Sequence, residues 1–417
     1  IDLTIKTLIE AKKAGQFRSL WKDFNESVNL MASGEVVIQS MWSPAVTAVR
    51  TKGIACTFQP LKEGYRSWAS GFGMPSTLTG KKLDGAYEFI NWFLDGWAGA
   101  YLNRQGYYSA VLDTAKAKME ALVNDIKSAM KGRIENLTWM SAPTKAKALE
   151  KLSKFSVMIG YPDTWRDYSA LSLKDGDLYG NVQRANRFEW DRNLARMNGP
   201  VDRMEWGMTP ATVNAYYSPT KNGIVFPAAI LQPPFFDPKA DPAVNYGGIG
   251  AVIGHEISHH FDDQGSKFDM KGNMVDWWTK EDVAKFEALT KRVVDQYGQY
   301  EPLAGKKVNG ELTLGENMAD LAGVTIAYDA YKLSLAGKPA KVLNGYNDDQ
   351  RFFLGFGQVW QNKQREAVLL QQLTTDPHTP GQFRPYVVRN LDAWYDAFGV
   401  KPGDKFYLKP EDRARVW

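Results

Sequence analysis

The spacing of apolar residues changes character partway along the chain. LTIKTLIEAKKAG and FRSLWKDFNESVNLMASG carry apolar residues three and four apart, the period of one helix face. EVVIQSMWS follows as a β-branched run bounded by Gly34 and Pro44, which predicts a buried strand. A short helix then leads to IACTFQPLKEG, a second strand, and DGAYEFINWFLDGWAGAYLNRQ predicts a long amphipathic helix. Alternation of this kind argues for an α/β unit. From KAKMEALVNDIKSAMKGRI onward the pattern becomes helical and rich in Lys, Ala and Met. A boundary is therefore expected at residues 113–116, dividing the chain into units 1–114 and 115–417.

Two later helices bear on chemistry. NYGGIGAVIGHEISHHF has an apolar stripe through Ile249, Val252, Ile253 and Ile257. Gly247, Gly248, Gly250 and Gly254 lower its helix propensity while admitting close packing. LGENMADLAGVTIAYDAY predicts a second strong helix, with Leu314, Met318, Leu321 and Ala322 on its buried side.

Composition narrows the class of protein. At 417 residues, two or three domains are the natural expectation. A content of 44% hydrophobic and 24% charged residues is that of a folded soluble protein. The net charge of +4 and the lack of a long Lys/Arg block argue against nucleic acid as a partner. Cys56 is the only cysteine, so no internal disulfide forms, and it reads as a small buried apolar group. No apolar run approaches the ~20 residues that span a bilayer. The opening IDLTIKTLIEAKKAG has no initiator Met and no charged-then-apolar leader, and reads as a start inside a folded unit.

The candidate chemistry sits in GHEISHHFDDQG, which holds three of the four histidines in the chain. His255 and His259 are one helical turn apart and so share a face, where two imidazoles can bind one Zn²⁺. Glu256 lies beside the first of them and can serve as a general base on water. A site of this kind needs a third ligand and an open fourth position. Glu316 in the second helix can supply the ligand, and Asp320, four residues on, can accept from a ligand imidazole and fix its tautomer. His260 points about 100° away from His259, and its expected role is packing or a hydrogen bond. Asp262 or Asp263 can orient His259; the sequence does not choose between them.

NAYYSP, IVFPAAILQPPFFD, NYGGIGAVIGHEISHHFDDQG, VDWW, LGENMADLAG, TDPHTPGQFR and RVW resemble, in order, the catalytic domain of the neprilysin and endothelin-converting-enzyme family of zinc metallopeptidases. The resemblance runs from about Lys116 to Trp417 and implies an α+β fold, a mainly helical thermolysin-like domain with a small β-sheet. It also implies one zinc ion held by His255, His259 and Glu316, with Glu256 and His378 catalytic and Asp320 supporting a ligand histidine. Asn214, Ala215 and Arg384 would bind the substrate backbone. Phe235, Val252, Val359 and Trp360 would form an apolar pocket for the residue after the cleaved bond. The implied substrates are oligopeptides, and the shortage of cysteines implies a bacterial enzyme, periplasmic or secreted. ASGEVVIQSMWSPAV, PLKEGYRSW and AYEFINWFL resemble one lobe of the periplasmic solute-binding proteins of ABC importers, in which Trp42 and Trp68 could stack on a ligand. Two functions follow: a zinc endopeptidase, or a solute- or peptide-binding module beside an idle, truncated catalytic half.

Overall fold

Asp23 accepts a hydrogen bond from the Glu26 amide and caps helix α1 (Phe24–Ala32), inside the first predicted helical stretches. Helix α2 (Ser43–Thr51) packs beside it through Val28, Ala45 and Val49. The computed structural model describes residues 10, 13–14, 23–34, 36, 43–54, 110–337 and 341–417. The predicted strands EVVIQSMWS and IACTFQPLKEG lie almost wholly outside the described residues, and the helix of DGAYEFINWFLDGWAGAYLNRQ lies entirely outside them, with Trp42, Cys56 and Trp68. The chain divides into two compact units, Ile1–Asp113 and Thr114–Trp417.

The second unit grows from helix α3 (Ala110–Asn136), whose Met119, Val123, Ile126, Met130 and Ile134 recur every three or four residues and are all buried. Helix α4 (Ala142–Lys154) starts with proline in its first turn and buries Ala148, Lys151 and Leu152. A small sheet follows. Strand β1 (Ser156–Gly160) runs parallel to β3 (Gly223–Pro227), and β2 (Tyr216–Ser218) runs antiparallel on the other side of β3. The central strand, GIVFP, is buried throughout, while the edge strand β2 is half-buried. Between β1 and β2 in sequence, helix α5 (Leu178–Arg196) buries none of its residues.

Helix α6 (Pro242–Asn245), a π-helical segment (Tyr246–Gly250) and helix α7 (Ala251–Ser258) follow end to end. The single helix expected from Asn245 to Phe261 is thus divided, because Gly247, Gly248 and Gly250 fall in the wider π turn. It also ends earlier than expected. The amides of His260 and Phe261 bond to the carbonyls three residues back, tightening the last turn. The remaining helices are α8 (Lys280–Tyr297), α9 (Leu314–Ser334), α10 (Asp348–Val359), α11 (Glu366–Thr375) and α12 (Asp392–Phe398).

One apolar core runs through this unit, with α9 at its centre: Met318, Ala322, Val324, Ile326 and Ala327 are buried on it. Ile249, Ile253 and Ile257 of the segment before His259 join the same core with no exposed surface. Each such side chain contributes roughly 1.5–3 kcal/mol on burial, which outweighs the ~1 kcal/mol that a glycine costs a helix. The tertiary seam therefore holds this helix together despite its weak propensity.

Candidate metal centre

Helices α7 and α9 cross with their backbones in contact. A Cβ on Gly254 would stand 2.7 Å from the carbonyl oxygen of Gly323, and one on Gly323 would stand 2.4 Å from that of Ala251 and 2.7 Å from the His255 nitrogen. Only two glycines permit this approach. The crossing lays the His255 turn of α7 directly against the first two turns of α9, where Glu316 and Asp320 project.

His255 Nε2 lies 3.2 Å from one oxygen of Glu316, and His259 Nε2 lies 3.7 Å from the other. The two Nε2 atoms are 3.0 Å apart, and one ligand atom from each of the three residues falls within 4.8 Å of the others. Behind each histidine stands a carboxylate: His255 Nδ1 is 2.9 Å from Asp320, and His259 Nδ1 is 2.6 Å from Asp262. These carboxylates accept the Nδ1 hydrogens, which leaves the Nε2 lone pairs converging on one point with the Glu316 oxygens. Acceptors so arranged require positive charge between them. Two nitrogens on one tetrahedral zinc stand about 3.3 Å apart, close to the spacing here. The residues fit the ion.

The electrostatics agree. Burial pulls the His255 ring down, but its hydrogen bonds to Asp320 and Glu316 push it up to about 10. Burial raises Glu316, and the His255 and His378 rings beside it more than reverse this, holding it far below the usual carboxylate range. Asp320 is buried as well, and the Arg384 guanidinium keeps it ionised by gripping it through Nε and Nη2 at 2.7 and 2.6 Å. Burial pushes Glu256 above the ordinary glutamate range, and among the described residues its carboxylate has no hydrogen-bond partner. A carboxylate so placed is disposed to accept a proton.

The other expected residues divide into those at the cluster and those around it. His378 reaches in from the loop after α11, with Nε2 3.2 Å from Glu316 and Nδ1 2.7 Å from Asp376. Arg384 is buried on Asp320, its guanidinium stacked 3.8 Å over the Trp360 ring; Nη1 makes no hydrogen bond among the described residues. Asn214 is exposed and Ala215 buried, immediately before the edge strand β2. Tyr217 of that strand lies against His260, with ring centroids 4.2 Å apart, which sets the strand beside the end of α7. Phe235, Val252 and Trp360 are half-buried against the core, and Val359 is buried at the end of α10. The Phe235 carbonyl accepts from the Ile249 amide at 2.8 Å, holding it one turn before Val252. His260 faces away from the cluster, donates Nδ1–H to the Ile257 carbonyl and is held neutral by burial and the Lys151 charge.

Lys151 carried no signal in the sequence, where KALEKLSK reads as a solvated helix face. Its ammonium is buried and donates to the carbonyls of His260, Gly265 and Phe268 at 2.7–2.8 Å. Burial lowers it to about 7 against the opposing charges of Asp262 and Asp269. It clasps the loop that presents Asp262 to His259.

A histidine pair one helical turn apart, a glutamate from a crossing helix and a carboxylate behind each ring make a donor set that could hold a zinc ion. Sequence profiles described as peptidase family M13 match residues 214–414 and 68–162, together more than half of the chain, and the chain belongs to that family. Neprilysin-3 of Drosophila melanogaster is 36% identical over 389 residues, covering 89% of this chain and 48% of its own length. Human neprilysin is 38% identical over 323 residues, covering 74% and 43%. The crystal structure of the Mycobacterium tuberculosis zinc metalloprotease Zmp1 in complex with inhibitor matches with a TM-score of 0.72 at 48% identity, over 82% of this chain and 52% of that one. The chain spans about half the length of the relatives it matches. The family match over residues 68–162 takes in AYEFINWFL and runs across the boundary expected at residues 113–116. No helix among the described residues is long and apolar enough to cross a membrane.

Proposed function

We propose that the chain is a zinc-dependent endopeptidase that hydrolyses oligopeptides on the amino side of hydrophobic residues. The observation that carries this reading is the convergence of His255, His259 and Glu316 ligand atoms beside the buried, unpartnered carboxylate of Glu256. Zinc, when bound, supplies a Lewis acid that brings the pKa of water to roughly 7 and polarises the peptide carbonyl. Glu256 takes the proton of the attacking water and passes it to the leaving nitrogen. His378 presents Nε2 to the carbonyl oxygen as that atom gains charge. Arg384, with Nη1 uncommitted, holds a neighbouring substrate carbonyl while its other nitrogens fix Asp320. Asn214 and Ala215 extend the free edge at β2, along which a peptide can lie as a further strand. Phe235, Val252, Val359 and Trp360 offer the apolar surface for the residue after the cut.

For domains, we propose residues 115–417 as the catalytic part and residues 1–114 as a lobe related to periplasmic solute-binding proteins, with 68–114 the stretch where the two resemblances overlap. That relationship also supports a periplasmic or secreted bacterial location.

The test is Glu256→Gln. This variant should bind one zinc per chain while cleaving a quenched peptide several orders of magnitude more slowly, since the base is lost and the ligands are kept. Wild-type cleavage by the zinc-loaded variant would overturn the assignment. Tight peptide binding by the unaltered chain, independent of zinc and without turnover, would favour a binding module with an idle catalytic half.

A further inference from the structure

The loop that carries His378 is exposed around that residue: both Asp376 and His378 reach solvent. Its local bonds do not anchor it. The His378 amide and Nδ1 both go to Asp376, two residues earlier in the same loop, and the His378 carbonyl accepts from Gln372 on the exposed helix α11. Apart from the approach of Nε2 to Glu316, the ring is held by its own loop and moves with it. The next residue differs. Thr379 is buried, and its hydroxyl donates at 2.7 Å to the side-chain oxygen of Asn317, which is fully buried on α9.

The direction of this bond is fixed by what lies behind it. Asn317 Nδ2 donates to the Thr313 hydroxyl at 2.8 Å, and that hydroxyl donates to the Asn309 carbonyl at 2.9 Å. The amide oxygen is therefore the acceptor left for the loop, and residue 379 must bring a donor. Asn317 follows the ligand Glu316 directly in sequence. One turn of α9 thus sets both the third metal ligand and the buried point to which the His378 loop is tied.

We infer that Thr379, acting through Asn317, is a positioning residue that holds His378 in register with Glu316. This rests on the proposed peptidase reading, in which His378 meets the substrate oxygen as charge develops. A hydroxyl at position 379 is required by this arrangement, whereas its methyl group is not.

The experiment compares Thr379→Val, Thr379→Ser, His378→Ala and the Thr379→Val/His378→Ala double variant in the full chain. Zinc content and thermal midpoint are measured beside kcat and KM on a quenched peptide. Thr379→Val should keep its zinc and lose on the order of 10- to 100-fold in kcat with little change in KM, the effect of a misplaced catalytic group. Thr379→Ser should restore kcat. In the His378→Ala background, Thr379→Val should cost little more, because the group it positions is already gone. Unchanged kcat in folded Thr379→Val, or an undiminished further loss in the His378→Ala background, would overturn the inference. If Thr379→Val does not fold, an Asn317→Asp variant, which keeps the acceptor, replaces it: the inference then requires retained kcat there and loss in Asn317→Leu. A zinc-loaded wild type that cleaves no peptide would overturn the peptidase reading itself, and is distinguished by the wild-type measurement alone.

Discussion

Asp262 and Asp263 are neighbours in sequence with different tasks in the structure. Asp262 receives His259 Nδ1 on one oxygen and the Gln264 and Gly265 amides on the other, whereas Asp263 holds only the Gln264 side chain. Replacing a carboxylate that supports a ligand histidine commonly costs 10- to 100-fold in metal affinity. Asp262→Asn should weaken zinc binding by about that much and Asp263→Asn should leave it nearly unchanged; chelator competition measures both. Equal losses in the two variants would refute the distinction. The shared face of His255 and His259 was legible in the sequence because they stand one helical turn apart; Glu316, on another helix, was singled out as a candidate third ligand, and the fold brings it within reach of both. The choice between Asp262 and Asp263 was not, because α7 ends at Ser258 and the following turn has no periodicity to read. Lys151 was illegible for a related reason: its burial comes from carbonyls more than a hundred residues away, and nothing in its own helix distinguishes it from Lys147 or Lys154.

At the scale of elements, the site depends on how closely α7 and α9 approach. The amphipathic pattern predicted both helices, but pattern does not fix the distance between axes, which Gly254 and Gly323 set by leaving no side chain in the gap. A methyl group on Gly323 would press on backbone atoms of Ala251 and His255, which cannot yield as a flexible side chain does. Overpacking of this kind costs about 1–3 kcal/mol. Gly323→Ala should therefore lower the denaturation midpoint and also weaken zinc binding, because the displaced helix carries His255 away from Glu316. Denaturant titration with and without zinc separates the two effects. Retention of both wild-type stability and wild-type zinc affinity would show that the crossing can widen to take a methyl group. The π-helical segment before α7 also escaped the sequence pattern, since Tyr246–Gly250 reads equally well as a weak α-helix.

At the scale of the whole unit, residues far apart in the chain meet at one cluster: His255 on α7 and His259 just past its end, Glu316 and Asp320 on α9, His378 beyond α11 and Arg384 in the 3₁₀ turn that follows. A metal that joins α7 to α9 binds the folded state and has no equivalent site in the unfolded chain, so it stabilises folding by mass action. With free zinc at a thousand times its dissociation constant, the gain is about 4 kcal/mol. Removing zinc with a chelator should lower the thermal midpoint, and adding it back should restore the midpoint together with activity. An unchanged midpoint would mean that the cluster holds no ion in solution. Outside this core, α5 and its flanks expose Trp165, Leu178, Tyr179, Trp190 and Met197, side chains that the usual amphipathic pattern of a surface helix would turn inward.

The glycine crossing also determines what can be moved to another protein. A host scaffold given only GHEISHHFDDQG would receive three imidazoles, Glu256 and the Asp262 carboxylate, with neither Glu316 and Asp320 nor the narrow gap that brings them within reach. The smallest portable unit is the pair of helices with both glycines in place, and a designer who kept the histidines but let an alanine into the joint would transplant a sequence signature without its metal.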